Sequence, residues 1–356
     1  MSGGEAADPA ESSPDPTTSS GSAGESTALP PPAEGSTDSG GPGLHSETGA
    51  PDSTGTDEPT AGSESTDTGQ PADPGPMVDA SDPQLYAFEF SPQDADPEAS
   101  LHLDTQLAYL DTRVSSRGQL VVFLHGAGSP STCGRPEHGQ MLAGLGFHVV
   151  SPCYVADYGV GNCGDDVGGC RLEAFEGVDH SPVIDIDPPD STEYRVARAL
   201  EYLQEQHPGG DWQYYLDGEI PRWDRMIITG GSHGGSSSGV AGMHRLVHRV
   251  VMLSGPLDSG QAWLSGVPLT PIDRFYGFTH TGDGQHEGHL AAFEALGLPG
   301  APTVVDGAMP PYGGSHRLVT SAPTGNGHGS TSANNSSPQQ DGEWVFLPVW
   351  ETMYLD

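Results

Sequence analysis

The segment RMIITGGSHGGSSSGVAG, Arg225 to Gly242, constrains this chain more than any other. An apolar, β-branched run over Met226–Thr229 breaks into Gly230, Gly231, Ser232, His233 and Gly234, and a stretch able to form a helix follows from Ser236 to Val247. The run reads as a buried parallel strand, while Ala241, Met243, Leu246 and Val247 give the helix apolar anchors. Between the two lies GxSxG. A serine placed there occupies a turn so tight that its backbone is strained. Residues two positions to either side must then lack side chains, or they would collide with the neighbouring strand and helix. Gly230 and Gly234 meet that demand. Because the chain carries 51 glycines, the flanking strand and helix weigh more than the match itself.

Such a turn needs a sheet around it, and the rest of the chain supplies one. LYAFEF and LHLDTQLAYLDTR read as opening antiparallel strands. GQLVVFLHGAG is a fully buried strand, Leu120 to Leu124, that runs into a Gly-rich turn. His138 to Leu145 reads as a short helix and FHVVSPCYV as a strand. STEYRVARALEYLQEQHPGG reads as a helix with Ser191 or Thr192 as N-cap and Gly209 as terminator. Beyond the central segment, HRVVMLSGPLD and RFYGFTHTGDG are strands, HEGHLAAFEALGLPG a helix ended by Gly297, HRLVTSA a last strand, and EWVFLPVWETMYL a partly helical C-terminal segment. This alternation implies a mostly parallel sheet with helices on both faces.

Composition separates that region from what precedes it. Residues 1–82 are almost all Gly, Ser, Thr, Pro, Ala, Asp and Glu, with no Arg or Lys. A segment like that cannot bury enough apolar surface to offset its ordering entropy, so a disordered acidic tail or linker is expected there. One domain is expected over 83–356. Across the chain 49 acidic residues face 12 basic ones, all of them Arg, for a formal net charge of −37. Nothing would neutralise phosphates, which excludes nucleic acid as a partner, and the charge opposes anionic membranes. No stretch approaches the roughly 18 apolar residues of a membrane span, and no signal peptide is visible. An acidic Ser/Thr/Pro/Gly tail nevertheless resembles the stalk of an exported domain, so a periplasmic, cell-surface or extracellular monomer is expected. The clustered set Cys133, Cys153, Cys163 and Cys170 agrees with export. Three connectivities are possible; Cys163 with Cys170, leaving Cys133 with Cys153, is the favoured one. A zinc site, whose spacing fits no common finger, and four buried thiols are the alternatives.

From about Leu101 onward the chain resembles the α/β-hydrolase superfamily. The resemblance lies in the order of four signals: HGAG after the third strand, GGSHGG after the fifth, an Asp after the seventh and a His after the last. It implies the α/β-hydrolase fold and a nucleophile, acid and base in the chain order Ser, Asp or Glu, His. Ser232 is then the nucleophile. Asp258, Asp273, Asp283 and Asp306 are the candidate acids; Asp283, between a strand and a helix, is preferred, with Asp258 as the alternative. Among His280, His286, His289, His316 and His328, the last stands in the loop SAPTGNGHGST just after the final strand and is the expected base. Backbone N–H groups of His233 and of Ala127 or Gly126 would form the oxyanion hole. The resemblance thus implies a serine esterase or lipase-like enzyme. It would cleave small-molecule, lipid or polymer esters through an acyl-enzyme, with no cofactor and no metal. The competing reading is a non-catalytic, hydrolase-like adhesion module on an acidic stalk. A lesser expectation is calcium bound at CGDDVGGC or VIDIDPPD. The resemblance is incomplete from Cys153 to Asp190, a long Asp/Gly/Pro-rich stretch read as loop, and no segment matches a large helical lid.

The charge imbalance also generates an expectation about salt. Self-repulsion at −37 is screened by added ions, so the melting temperature is expected to rise from low to molar NaCl. A flat profile in a thermal-melt series would remove that reading.

Overall fold

A computed structural model describes residues 73–128, 130–158 and 161–356. Of the expected tail, residues 1–72 lie outside the described residues. Residues 73–82 belong to the folded body: the Asp79 N–H donates to the Gly209 carbonyl at 2.7 Å, and the Asp73 carboxylate reaches Arg222 at 3.0 Å and Arg225 at 2.9 Å.

Nine strands form the central sheet: β1 (Leu85–Phe90), β2 (Gln106–Asp111), β3 (Leu120–Leu124), β4 (His148–Ser151), β5 (Met226–Gly231), β6 (Arg249–Leu253), β7 (Phe275–His280), β8 (Thr303–Val304) and β9 (Arg317–Thr320). Their order is β1-β2-β4-β3-β5-β6-β7-β9-β8. β1 pairs antiparallel with β2 and β2 with β4, while every later pairing is parallel. All residues of β3, β6 and β7 are buried, which is why apolar residues follow one another along these strands instead of alternating with polar ones. β1 sits at the edge and does alternate in exposure.

Six helices of nine residues or more cover the sheet among the described residues: α1 (Pro136–Gly144), α2 (Val167–Glu176), α3 (Thr192–Gln206), α4 (His233–His244), α5 (His286–Leu296) and α6 (Leu347–Leu355). α3 starts as expected, with the Ser191 hydroxyl accepting from the Tyr194 N–H, but ends at Gln206 rather than at Gly209. Pro208 is the cause, since the residue before a proline is pushed out of the helical region. α5 closes on Gly297 in the left-handed conformation, as its sequence implies. α4 begins three residues before the expected Ser236 and ends at His244. α2 lies in the stretch expected to be loop. Paired glycines hid both starts. In α2 they face close neighbours: a Cβ on Gly168 would stand 3.1 Å from Trp263, and one on Gly169 would stand 2.5 Å from Asp166 Oδ2.

One core, containing Leu200, Trp212, Phe275 and Phe293, lies on one side of the sheet; another, with Leu142, Phe278, Phe346 and Trp350, lies on the other. A buried polar chain crosses the second. The Ala333 N–H donates to His138 Nδ1 at 3.1 Å, so Nε2 carries the proton and donates to Tyr354 Oη at 3.1 Å. Tyr354 in turn pairs with Thr229 Oγ1 at 2.8 Å, joining α1, α6, β5 and the loop after β9. No helix among the described residues is long and apolar enough to cross a membrane.

Burial lowers the His138 pKa from 6.5 to about 3. The unfolded chain therefore takes up a proton near pH 6.5 that the folded state refuses. Stability from the neutral imidazole is complete above pH 6.5 and is lost as pH falls toward about 3. His138→Gln, which does not titrate, is expected to flatten the fall of melting temperature over that window. Parallel curves for variant and wild type would contradict it.

Candidate active site

The turn between β5 and α4 holds Ser232 at φ 58° and ψ −119°, a left-handed region that non-glycine residues rarely occupy. Close backbone packing enforces it. A Cβ on Gly230 would stand 2.5 Å from the Leu124 carbonyl oxygen and 2.6 Å from the Gly234 carbonyl carbon. One on Gly234 would collide with that same Leu124 oxygen and stand 2.6 Å from the His125 oxygen. Only glycine fits at either position. The Ser232 N–H is anchored on the Leu253 carbonyl at 2.8 Å. The end of β3 therefore presses on the start of α4, and the HGAG turn lies beside the serine: a Cβ on Gly126 would be 3.7 Å from Ser232 Cβ. The His233 N–H belongs to the first turn of α4, where amides have no intrahelical acceptor and the helix dipole favours negative charge.

Asp283 follows β7 and precedes α5. Its Oδ1 accepts from the Gln285 N–H at 2.9 Å, and its Oδ2 lies 2.7 Å from His328 Nδ1. The carboxylate is buried at 2% exposure, while the imidazole is 36% exposed. A carboxylate accepts only, so Nδ1 carries the proton and Nε2 keeps a lone pair. The loop bearing His328 is pressed onto Asp283 at Gly327, where a Cβ would stand 2.8 Å from the Asp283 nitrogen. Asn334 braces the loop from within, donating to the Gly329 carbonyl at 2.6 Å and to the Ser332 carbonyl at 2.8 Å.

Asp258, the alternative acid, has a different occupation. Arg171 holds both of its oxygens, Nε at 2.6 Å and Nη2 at 2.7 Å, and Trp263 Nε1 donates to it at 3.0 Å. This ion pair is fully buried on both sides. Asp306 is bound to Thr320 and Ser321, and Asp273 is exposed. Of the other histidines, His280 pairs with the Ala322 carbonyl and His316 with the Phe275 carbonyl. His286 and His289 both reach Thr279 Oγ1, at 3.2 and 2.9 Å. Burial lowers the His289 pKa to about 4, leaving that ring neutral beside Asp283. Among the described residues, Asp283, His289 and His328 are the one set of three with ligand atoms within 4.8 Å of one another. Within this set His328 Nδ1 is bonded to Asp283 and His289 Nδ1 to Thr279 Oγ1. Asp166, in the segment read as a calcium loop, caps α2 by accepting from the Gly169 N–H.

Cys133–Cys153 and Cys163–Cys170 are disulfides, so all four thiols are consumed in the favoured pairing. Two neighbours of the site escaped sequence reasoning. Tyr154 Oη donates to the His125 carbonyl at 2.8 Å and meets His233 Nδ1 at 3.1 Å; Arg171 reaches the His233 carbonyl at 3.3 Å. The available signal was their position, each directly after a cysteine.

The sheet order and the strained serine between strand and helix are those of the α/β-hydrolase fold. No protein-family model matches the sequence, and no curated protein does. Solved structures similar to it include a thermostable esterase from Pseudomonas putida ECU1011, at 13% identity over 69% of this chain and 75% of that one, TM-score 0.33. Also similar is a putative dienelactone hydrolase from Klebsiella pneumoniae subsp. pneumoniae MGH 78578, at 14% identity over 72% of this chain and 93% of that one, TM-score 0.35. An acylaminoacyl peptidase is similar at 14% identity over 71% of this chain and 38% of that one, TM-score 0.34.

The two carboxylates should respond differently to neutralisation. Asp258→Asn strands a buried guanidinium and is expected to cost about 3–5 kcal/mol, a large drop in melting temperature. Asp283→Asn removes no such partner and should melt much closer to wild type. Equal melting of the two variants would contradict these assignments.

Proposed function

We propose that this protein is a serine hydrolase that cleaves carboxylic esters through an acyl-enzyme, with Ser232, His328 and Asp283 as nucleophile, base and acid. The observation that carries the reading is the 2.7 Å bond from His328 Nδ1 to Asp283, made by two loops at the sheet edge that also bears the strained serine. On this reading the His328 Nε2 lone pair takes the Ser232 proton as the hydroxyl attacks the ester carbonyl. Asp283 holds the ring in that tautomer and stabilises the imidazolium. Negative charge on the carbonyl oxygen is met by the His233 N–H and by an N–H of the Gly126–Ala127 turn. Collapse expels the alcohol, which takes its proton from His328. Water, deprotonated by the same ring, then releases the acid. The chemistry uses no cofactor. Esters of small molecules, lipids or polymers are the substrate class, and the two disulfides favour an exported protein.

A fluorophosphonate probe and a panel of p-nitrophenyl esters test the proposal. Labelling is expected at Ser232, and Ser232→Ala, His328→Ala and Asp283→Asn should each lower kcat by about 10⁴-fold or more. A folded wild-type protein that neither labels nor turns over any ester would leave the adhesion module as the better account.

A further inference from the structure

We propose that Tyr154 and Arg171 are positioning residues for the oxyanion hole, each fixed by the disulfide whose second cysteine directly precedes it. The inference rests on the hydrolase reading of Ser232.

The oxyanion donors lie on two separate segments, the HGAG turn after β3 and the first residue of α4. Their relative placement is not set by any one element. Tyr154 spans them. Its hydroxyl donates to the His125 carbonyl at 2.8 Å, and that oxygen belongs to the same planar peptide group as the Gly126 N–H. Fixing one end of the group fixes the direction of the other. With its proton committed there, the Tyr154 oxygen accepts from His233 Nδ1 at 3.1 Å, tying the ring of the second donor residue to the peptide of the first.

Arg171 secures the α4 side. Its side chain is fully buried. Nη1 reaches both the His233 carbonyl and Ser237 Oγ at 3.3 Å, while Nε and Nη2 grip Asp258. One rigid guanidinium plane thereby joins the first turn of the serine helix to the loop that follows β6. The Leu257 N–H donates to Ser236 Oγ at 2.8 Å beside it, a second tie between the same two segments. Tyr158 closes the cluster, its ring edge-on to His233 at 4.9 Å between centroids.

Tyr154 lies in coil just past the end of β4 and Arg171 lies within the second turn of α2, and in both the preceding residue is covalently anchored. Cys153 is bonded to Cys133, and Cys170 to Cys163. Each crosslink sets the Cα position from which the next side chain reaches the site.

The test uses the full chain. Tyr154→Phe keeps the ring and deletes the bridging hydroxyl. Arg171→Met combined with Asp258→Leu deletes the clamp without leaving a lone buried charge. For each folded variant, kcat on a p-nitrophenyl ester is expected to fall about 10- to 100-fold with KM within about twofold of wild type. Affinity for a trifluoromethyl ketone, which captures the serine as an oxyanion, should weaken in step with kcat/KM. Wild-type protein reduced and alkylated under conditions where its circular dichroism is unchanged should show the same loss. A folded Tyr154→Phe protein with wild-type kcat, or reduction that leaves kcat intact, overturns the proposal while Ser232 still labels. Absence of labelling in the wild type overturns the hydrolase reading along with it.

Discussion

Contact between two backbone segments governs this structure: the carbonyls of Leu124 and His125, at the end of β3, lie where side chains at residues 230 and 234 would have to be. That leaves no room for anything but glycine on either side of Ser232, and it bends the serine itself to positive φ. The parallel pairing of β3 with β5 keeps the two segments in register, from Leu120 opposite Met226 to Leu124 opposite Gly230. Strand register, helix start and serine conformation are therefore one constraint, and a shift in any of them would break the other two.

Several buried polar side chains reach far along the chain. His138 links a helix near the start of the fold to the C-terminal helix, and Arg171 links α2 to a loop 87 residues later. In a protein with so few cations, committing some of them to buried carboxylates removes charge from an already acidic surface. Asp190 shows the same economy, accepting from Ser100 and Leu101 while paired with buried Arg195. Each such acid is satisfied by several donors, the condition under which a buried carboxylate is tolerated.

Sequence reading succeeded where a local pattern has a physical cause. Unbroken apolar runs marked β3, β5 and β6 because parallel strands are covered on both faces, and Gly297 marked the end of α5 because that position is left-handed. Asp283 and His328, chosen from chain order and from their places just after strands, lie 2.7 Å apart. The failures also have causes. Glycine pairs at 168–169 and 234–235 disguised helix starts, since those glycines serve close packing rather than turns. Pro208 stopped α3 before the glycine that seemed to end it. Tyr154 and Arg171 were invisible because a hydrogen bond to a residue 62 or 79 positions away leaves no periodic trace.

The cysteine pairing has a further consequence for how such a protein would mature. On the proposal made above, Tyr154 and Arg171 are each anchored by a neighbouring crosslink of the kind that forms in an oxidising compartment. On the assignment made above, a newly made chain in a reducing cytosol has its serine, histidine and aspartate but an unset oxyanion hole. On the proposed assignments, oxidation of the two cysteine pairs would then be what sets the activity.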